Sequence, residues 1–239
     1  MEKDARLQLP EIVLSFSPAR AAPEILLVAG GRPPDIDWLR RVASGRSLWC
    51  ADHGVDVCRA AGLVPDRLIG DADSAAAETW RWAEANGAVC KKFPPEKDFT
   101  DTELALRRIK AERPTAFILL AGAFGGRLDH AFSTLYSLAG SGLCGLLADE
   151  SELLLIVHGG ESVRGEVRQT PLALSLLPLS AQCAGVTLTG VRWPLTDARL
   201  TQREPNAVSN ILIPEEKHFS LSLGSGCLAL YLCWHAPKP

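Results

Sequence analysis

The stretch from Phe117 to His130 reads FILLAGAFGGRLDH, an apolar run followed by a glycine-rich turn and then polar residues. The apolar run is typical of a buried strand. Glycines at a strand-to-helix junction let the backbone approach a ligand closely, with N–H groups that can face an anion. The turn lacks the Gly-Lys-Ser/Thr ending of a Walker P-loop. The stretch therefore predicts a strand–turn–helix unit of an α/β domain.

The same alternation of short apolar runs and longer amphipathic segments extends outward from about Glu24 to Val157. The predicted strands are Ile25–Ala29, Ser47–Ala51, Arg67–Ile69, Ala88–Lys91, Ala116–Leu120, Gly145–Leu147 and Leu153–Val157. The predicted helices are Ile36–Ala43, Val55–Ala61, Ala75–Asn86, Asp101–Glu112 and Leu128–Ala139. Strands separated by helices of this length indicate βαβ units around a parallel sheet. Residues 1–157 are therefore predicted to form the first domain.

Beyond residue 158 the pattern changes to short alternating segments separated by glycine, proline and polar residues, without a helical period. The predicted strands here are Glu166–Gln169, Ala173–Leu177, Val186–Thr189, His218–Leu223 and Leu228–Leu232. Such a pattern is typical of a small all-β domain, and a sandwich is expected. The predicted boundary lies at the turn from His158 to Gly160, so the second domain covers residues 158–239.

Composition excludes several classes of protein. Apolar residues make up 47% of the 239 residues, charged residues 22%, and the formal net charge is −3, so no nucleic-acid partner is expected. Seven scattered cysteines without a C-x-x-C pair argue against a disulfide framework or a zinc site and favour a reducing compartment. Neither a signal-peptide pattern nor an apolar run long enough for a membrane span is present. A cytoplasmic protein without a membrane partner is expected.

An acidic motif follows the third predicted strand, where residues 69–74 read IGDADS. The carboxylates of Asp71 and Asp73 lie two residues apart on a loop, so both can turn toward one hard cation such as Mg²⁺. The alternative is a solvated turn in which Asp73 or Ser74 caps the following helix. The sequence leaves both interpretations open.

A second charged motif lies at residues 97–103, which read KDFTDTE. Thr100 with Glu103 matches a capping box that opens the helix at Asp101. The cap leaves Lys97 and Asp98 unexplained. A helix N-terminus favours a phosphate, and a nearby lysine adds a point charge for it.

In the glycine-rich stretch, Arg127 and Asp129 follow the turn directly. Most glycine-rich turns are only turns. The added arginine and aspartate favour a binding site over a purely structural turn.

Taken in order, these motifs resemble those of the thiamine pyrophosphokinases. The matching segments are Asp52–Gly54, Gly70–Ser74, Lys97–Asp101, Gly125–His130, Gly190–Leu195 and Ser209-Asn210. The resemblance runs from about residue 25 to the C-terminus, and it implies a Rossmann-like catalytic domain followed by a β-sandwich. It also implies a homodimer with its active sites between subunits. Two departures are His53, where the family has glycine, and Ile211, where the family often has an acidic residue.

The resemblance also implies roles for individual residues, with ATP and thiamine as substrates and Mg²⁺ as cofactor. The Mg²⁺ carboxylates would be Asp71, Asp73 and Asp101. The residues on the phosphate and nucleotide side would be Asp52, Lys97, Asp98, Thr100, Gly126 and Arg127. Asp129 would also lie in the site, and Ser209 and Asn210 would help to form the thiamine pocket. Trp193 can either stack on an aromatic ligand or pack in the core.

The expected reaction is attack of the thiamine hydroxyl on the β-phosphorus of ATP, with AMP as the leaving group. Asp98 and Asp129 are the candidates for accepting the hydroxyl proton. One alternative is a pyrophosphokinase for another hydroxymethyl heterocycle, such as a pterin. A second alternative is a non-catalytic nucleotide-binding module.

Overall fold

The computed structural model describes residues 6–20, 24–71, 77–94, 96, 98–204, 206–213 and 215–235. The chain divides into two compact units. The parallel-sheet unit is Pro23–Asp149, and the antiparallel unit combines Met1–Ala22 with Glu150–Pro239.

The parallel-sheet unit alternates strands and helices. Its strands are β3 (Ile25–Val28), β4 (Ser47–Ala51), β5 (Arg67–Gly70), β6 (Val89–Lys92), β7 (Phe117–Ala121) and β8 (Cys144–Ala148). Its described helices are α1 (Ile36–Ala43), α2 (Gly54–Ala60), α3 (Ala77–Ala85), α4 (Asp101–Glu112) and α5 (Leu128–Gly140). Every observed helix and strand of this unit overlaps a predicted one.

The strands of this unit pair in parallel in the order β8-β7-β3-β4-β5-β6. The chain moves outward from β3 to β6, and α4 then carries it back to β7 on the other side of β3. The strand order therefore reverses between β3 and β7, and ligands in open α/β sheets bind outside the carboxyl ends of the strands at such a point. The topology itself indicates where a site should lie.

The core of this unit explains why its central strands are uniformly apolar. All residues of β3 and β7 are buried. A parallel strand covered by helices on both faces has no solvent side, so its sequence does not alternate. The amphipathic helices complete the burial. For example, α1 buries Trp38 and Leu39 and is capped by Asp35, whose carboxylate accepts a hydrogen bond from the Trp38 N–H at 2.9 Å.

The described part of the antiparallel unit contains strands and no helix. Its strands are β1 (Arg6–Gln8), β2 (Ile12–Ser17), β9 (Glu152–His158), β10 (Ser162–Val167), β11 (Ala173–Pro178), β12 (Gln182–Thr189), β13 (Leu195–Thr201), β14 (His218–Ser222) and β15 (Cys227–Cys233). Six of them pair in the order β1-β2-β10-β14-β12-β13, and β15 pairs with both β11 and β9. The chain is thus a mixed α/β protein, and the sandwich arrangement stays a prediction.

The division into units differs from the predicted division at residue 157. The strand β9 pairs antiparallel with β15 along its whole length, so it belongs with the later strands. The N-terminal strand β2 pairs with β10, which joins the first residues of the chain to the second unit. Neither β1 nor β2 was predicted, and β13 was missed because most of its residues are exposed or half-buried and show no clear alternation.

Candidate functional site

Three aspartates come together at the carboxyl edge of the parallel sheet. Asp52 follows β4, Asp71 follows β5, and Asp101 is the first residue of α4, which packs against both strands. Each offers one carboxylate oxygen, and the three oxygens lie within 4.8 Å of one another. Because β4 and β5 are adjacent and parallel, their ends place Asp52 and Asp71 side by side. The return of α4 over these strands adds Asp101.

The backbone at Asp52 is held in an unusual conformation. Its φ angle is +51°, in the left-handed region that few residues other than glycine, asparagine and aspartate adopt. The Asp52 N–H donates to the Ile69 carbonyl at 2.9 Å, which ties this turn to β5. Its Oδ1 atom is buried and has no hydrogen-bond partner in the described part of the chain. A buried carboxylate oxygen without a donor is costly unless something positive approaches it.

These observations fit a hard divalent cation. Mg²⁺ prefers carboxylate oxygens at about 2.1 Å, so neighbouring ligand atoms lie about 3 to 4 Å apart. The three oxygens lie within 4.8 Å of one another, close enough to converge on one cation, and the buried Asp52 Oδ1 atom has no hydrogen-bond donor in the described part of the chain. Three carboxylates this close repel one another in the absence of a cation. Their donor set is therefore suited to Mg²⁺.

The cluster differs in membership from the set expected from sequence. Asp71 and Asp101 were expected as metal ligands, whereas Asp52 was expected on the nucleotide side. Asp73 and Lys97, both expected in the site, lie outside the described residues. The sequence feature that would have indicated Asp52 as a metal ligand is its position. Asp52 directly follows the end of β4, as Asp71 directly follows the end of β5.

The start of α4 is capped as the sequence predicts. The Thr100 hydroxyl accepts a hydrogen bond from the Glu103 N–H at 3.2 Å. The Glu103 carboxylate accepts from Arg107 instead, so in the described part of the chain only the Thr100 half of the capping box forms. Asp98 is exposed and lies two residues before Thr100 in the chain. The cap fixes the first turn of α4 and with it the position of Asp101.

The glycine-rich loop lies at the switch point between β3 and β7. The Gly31 N–H donates to the Gly122 carbonyl at 2.8 Å, which joins the loops after the two strands. Gly122 has φ +67°, and a Cβ there would lie 2.2 Å from the Ala29 carbonyl oxygen. Gly126 has φ +65° but open space around it. The first glycine is needed for packing, while the second leaves room beside the backbone.

Gly122→Ala should therefore destabilise the protein by more than its backbone angle alone requires. Gly62→Ala is the matched control, because Gly62 has φ +70° but no atom within 4 Å of an added Cβ. The excess for Gly122→Ala should be about 1–3 kcal/mol, the usual range for overpacking. Urea unfolding of both variants measures it. Equal losses of stability would show that the close approach to Ala29 is not rigid.

Arg127 and Asp129 form an exposed ion pair where the loop enters α5. The Arg127 guanidinium donates to both Asp129 oxygens, at 3.1 and 2.6 Å. This hydrogen bond lowers the pKa of Asp129 and raises that of Arg127. Arg127 is also the N-cap residue of α5 and makes no side-chain cap. Among the first N–H groups of α5, that of His130 donates to Asp129 Oδ1 at 3.0 Å, and those of Leu128 and Asp129 can face a bound anion or water.

In the antiparallel unit, the Asn210 side chain forms hydrogen bonds with the backbone of a neighbouring loop. Its Oδ1 accepts from the N–H groups of Trp193 (3.2 Å) and Ile211 (2.9 Å), and its Nδ2 donates to the Trp193 carbonyl at 2.7 Å. Asn210 is buried, whereas Trp193 is 55% exposed with the Arg192 guanidinium 4.9 Å from its ring centroid. Core packing of Trp193 is therefore excluded.

Ser209, beside Asn210, adopts φ +58°, and its N–H donates to the Ser175 hydroxyl at 3.0 Å. The pair Ser209-Asn210 was expected in a substrate pocket. The observed hydrogen bonds join the Asn210 side chain to the backbone of the loop that carries Trp193. Sequence spacing does not reveal this, because the two residues lie 17 positions apart.

Two family models match the chain. One, described as "Thiamin pyrophosphokinase, catalytic domain", matches residues 40–142. The other, described as "Thiamin pyrophosphokinase, vitamin B1 binding domain", matches residues 167–228. Together they cover more than half of the sequence, in the same order as the two groups of motifs.

Curated relatives and solved structures agree with these models. The thiamine pyrophosphokinase of Bacillus subtilis (strain 168) is 29% identical over 204 residues, which cover 84% of this chain and 94% of the relative. A crystal structure of thiamine pyrophosphokinase from Bacillus subtilis superposes with a TM-score of 0.76 at 25% identity, covering 89% of this chain and 99% of that one. The corresponding enzyme structure from Geobacillus thermodenitrificans gives 0.73 at 28% identity, with 89% and 98% covered.

None of the described helices has the length and apolar character needed to cross a membrane.

Proposed function

The chain belongs to the thiamine pyrophosphokinase family, and we propose on that premise that it transfers the pyrophosphoryl group of ATP to the hydroxyl of thiamine. The products would be thiamine pyrophosphate and AMP. The observation that carries the proposal is the cluster of Asp52, Asp71 and Asp101 at the carboxyl edge of the sheet. Neither the pterin alternative nor the non-catalytic alternative is favoured by any of these comparisons.

Asp52, Asp71 and Asp101 would hold Mg²⁺, with Asp73 as a further ligand expected from its position two residues after Asp71. A bound Mg²⁺ supplies charge neutralisation of the polyphosphate and helps to orient it. The chain's own contribution is a rigid frame: β4, β5 and the capped start of α4 set the three carboxylates in place before substrate arrives. Fixed charges of this kind need no reorganisation during the reaction.

The nucleotide would lie along the same edge of the sheet, toward the switch point. The strands β4, which precedes Asp52, and β7, which precedes the glycine-rich loop, are separated only by β3, so their ends lie about 10 Å apart. A polyphosphate can span that distance from the carboxylates to the glycine-rich loop. There Gly126 leaves open space, the start of α5 presents N–H groups, and Arg127 adds positive charge. Lys97 and Thr100 would act from the start of α4.

The hydroxyl proton of thiamine needs an acceptor. The ion pair with Arg127 lowers the pKa of Asp129 and makes it a weaker base. Asp98, exposed two residues before the cap of α4, is the other candidate. We assign the proton-accepting role to Asp98.

The thiamine pocket would involve the loop that carries Trp193. An exposed indole offers an aromatic face on which a heterocycle can stack. Asn210 holds the main chain of this loop through both its amide oxygen and its amide nitrogen. Asn210 and Ser209 would thus act on thiamine by fixing the loop.

We further propose a homodimer in which the carboxylate cluster of one subunit works with the thiamine pocket of the other. The two groups of residues belong to different units of the chain, which is compatible with a shared site. All seven cysteines are free thiols, which suits a cytoplasmic location.

Incubation of the purified protein with ATP, Mg²⁺ and thiamine tests the reaction type. AMP and thiamine pyrophosphate should appear in equal amounts, and omission of thiamine should suppress both. A hydroxymethyl pterin offered in place of thiamine provides the control for substrate class. ADP as the nucleotide product, or a preference for the pterin, would contradict the proposal.

A further inference from the structure

Arg32, in the loop after β3, makes an ion pair that crosses the switch point. Its Nε and Nη2 atoms donate to the Oδ2 atom of Asp149, at 3.1 and 2.6 Å. Asp149 directly follows β8. The Asp149 side chain is 1% exposed and that of Arg32 is 23% exposed. In the sheet order, β7 lies between β8 and β3, so the pair bridges over the end of β7.

The main chain and side chain of Arg32 also contact the glycine-rich loop after β7. The Arg32 N–H donates to the Phe124 carbonyl at 2.6 Å. The Arg32 guanidinium lies 5.8 Å from the centroid of the Phe124 ring. A Cβ added to Gly125 would lie 2.8 Å from the Cβ of Arg32, so the loop passes directly against this side chain. Arg32 thus contacts the loop on which Gly126 and Arg127 lie.

Burial makes this pair a rigid connection. A carboxylate as buried as Asp149 is costly unless a charged and hydrogen-bonded partner stays in place. The guanidinium is planar and donates from two nitrogens, which fixes its orientation more closely than an ammonium group would. Arg32 is therefore held by Asp149 on one side and packs on the loop on the other.

We propose that Arg32 is a positioning residue for the nucleotide: held by Asp149, it fixes the Gly122–Arg127 loop in the conformation that binds ATP. The inference rests on the proposed function in that ATP is the nucleotide. It assigns Arg32 no contact with the reacting atoms. Loss of Arg32 should therefore weaken ATP binding while leaving the use of thiamine nearly unchanged.

The expected size follows from geometry. A misplacement of about 1 Å in a site can lower the reaction rate by up to about 10²-fold. By the same loss of geometry, a loosened loop should weaken ATP affinity by about tenfold or more. The KM for thiamine should stay within about twofold, because the thiamine candidates lie in the other unit.

The experiment compares Arg32→Met, Asp149→Asn and the double variant with the wild type and with Arg59→Met. Arg59 is the matched control, since its guanidinium pairs with Glu78 at 2.6 Å between α2 and α3, on helices that do not carry the loop. Each protein is measured for melting temperature, for ATP binding with Mg²⁺ in the absence of thiamine, and for the KM of each substrate. Arg32→Lys is added because it keeps the positive charge but lacks the planar guanidinium that donates from two nitrogens.

Arg32→Met alone leaves the Asp149 carboxylate buried without its arginine and should melt well below the wild type. The double variant removes that charge and should recover most of the melting temperature. The proposal requires that the ATP affinity of the double variant stay about tenfold weaker than that of the wild type. It also requires that the ATP affinity of Arg32→Lys lie between those of Arg32→Met and the wild type. Recovery of ATP affinity together with melting temperature would overturn the proposal, because the pair would then be only structural. Unchanged ATP affinity in all variants would overturn it as well.

Failure of the proposed function shows in a different measurement. A wild type that binds ATP but forms no AMP with thiamine would overturn pyrophosphoryl transfer, and the comparison of ATP affinities would still decide the role of Arg32.

Discussion

Asp52→Asn and Asp71→Asn should each leave a folded protein whose turnover has fallen by about 10²- to 10³-fold or more, as for loss of other preorganised charge stabilisation. The amide keeps the shape of the carboxylate but loses the charge that would bind Mg²⁺. At Asp52 the exchange is mild for the backbone, because asparagine tolerates the observed φ of +51°. Steady-state rates of AMP formation measure the loss.

Thermal melting distinguishes the loss of Mg²⁺ binding from a loss of folding stability. Without Mg²⁺, neutralising one of three close carboxylates should leave the melting temperature unchanged or raise it, since it relieves repulsion. With Mg²⁺ at about 100 times its Kd, the wild type should gain about 2.7 kcal/mol of stability and the variants much less.

Asp37→Asn provides the control, because Asp37 is an 80% exposed side chain on α1. It should match the wild type in rate and in its response to Mg²⁺. A cluster variant with wild-type rate and an undiminished Mg²⁺ response would remove that aspartate from the metal site.

Two inactive variants should restore activity to each other if the site is shared between subunits. One variant carries Asp71→Asn in the parallel-sheet unit, and the other carries Asn210→Ala in the antiparallel unit. Each homodimer then has a lesion in both of its sites. A mixed dimer gathers both lesions in one site and leaves the other intact. Because random pairing makes about half of the dimers mixed, unfolding and refolding the two proteins together should restore about a quarter of wild-type activity.

The control for this experiment is co-refolding of Asp71→Asn with Asp101→Asn, which both lie in the parallel-sheet unit and should restore nothing. If Asn210→Ala does not fold, Trp193→Ala replaces it, since Trp193 is exposed and its loss removes an aromatic surface without opening the core. Absence of restored activity, with mixed dimers demonstrated, would place each site within one subunit. The proposed chemistry would be unaffected by that outcome.

Local sequence determined the elements of the parallel-sheet unit closely. The predicted helices Ile36–Ala43 and Asp101–Glu112 and the predicted strand Ser47–Ala51 have the observed bounds. Their signals are short-range: the apolar spacing of a helix face, the Thr100 cap and the uniform burial of central strands. Asp71 was singled out in the same way, because acidic residues directly after a strand fall at the carboxyl edge of a parallel sheet, whereas Asp101 was expected as a metal ligand only from the resemblance to the family.

Tertiary structure alone decided the features that depend on distant partners. The strand β2 pairs with β10 across about 150 residues of chain, Asp149 holds Arg32 from 117 positions away, and Asn210 supports Trp193 from 17 positions away. No local period encodes such pairings, because the residues that meet are chosen by the order of strands in a sheet. Asp52 illustrates the limit: the sequence placed it after a strand, but only the adjacency of β4 and β5 and the return of α4 bring its carboxylate beside Asp71 and Asp101.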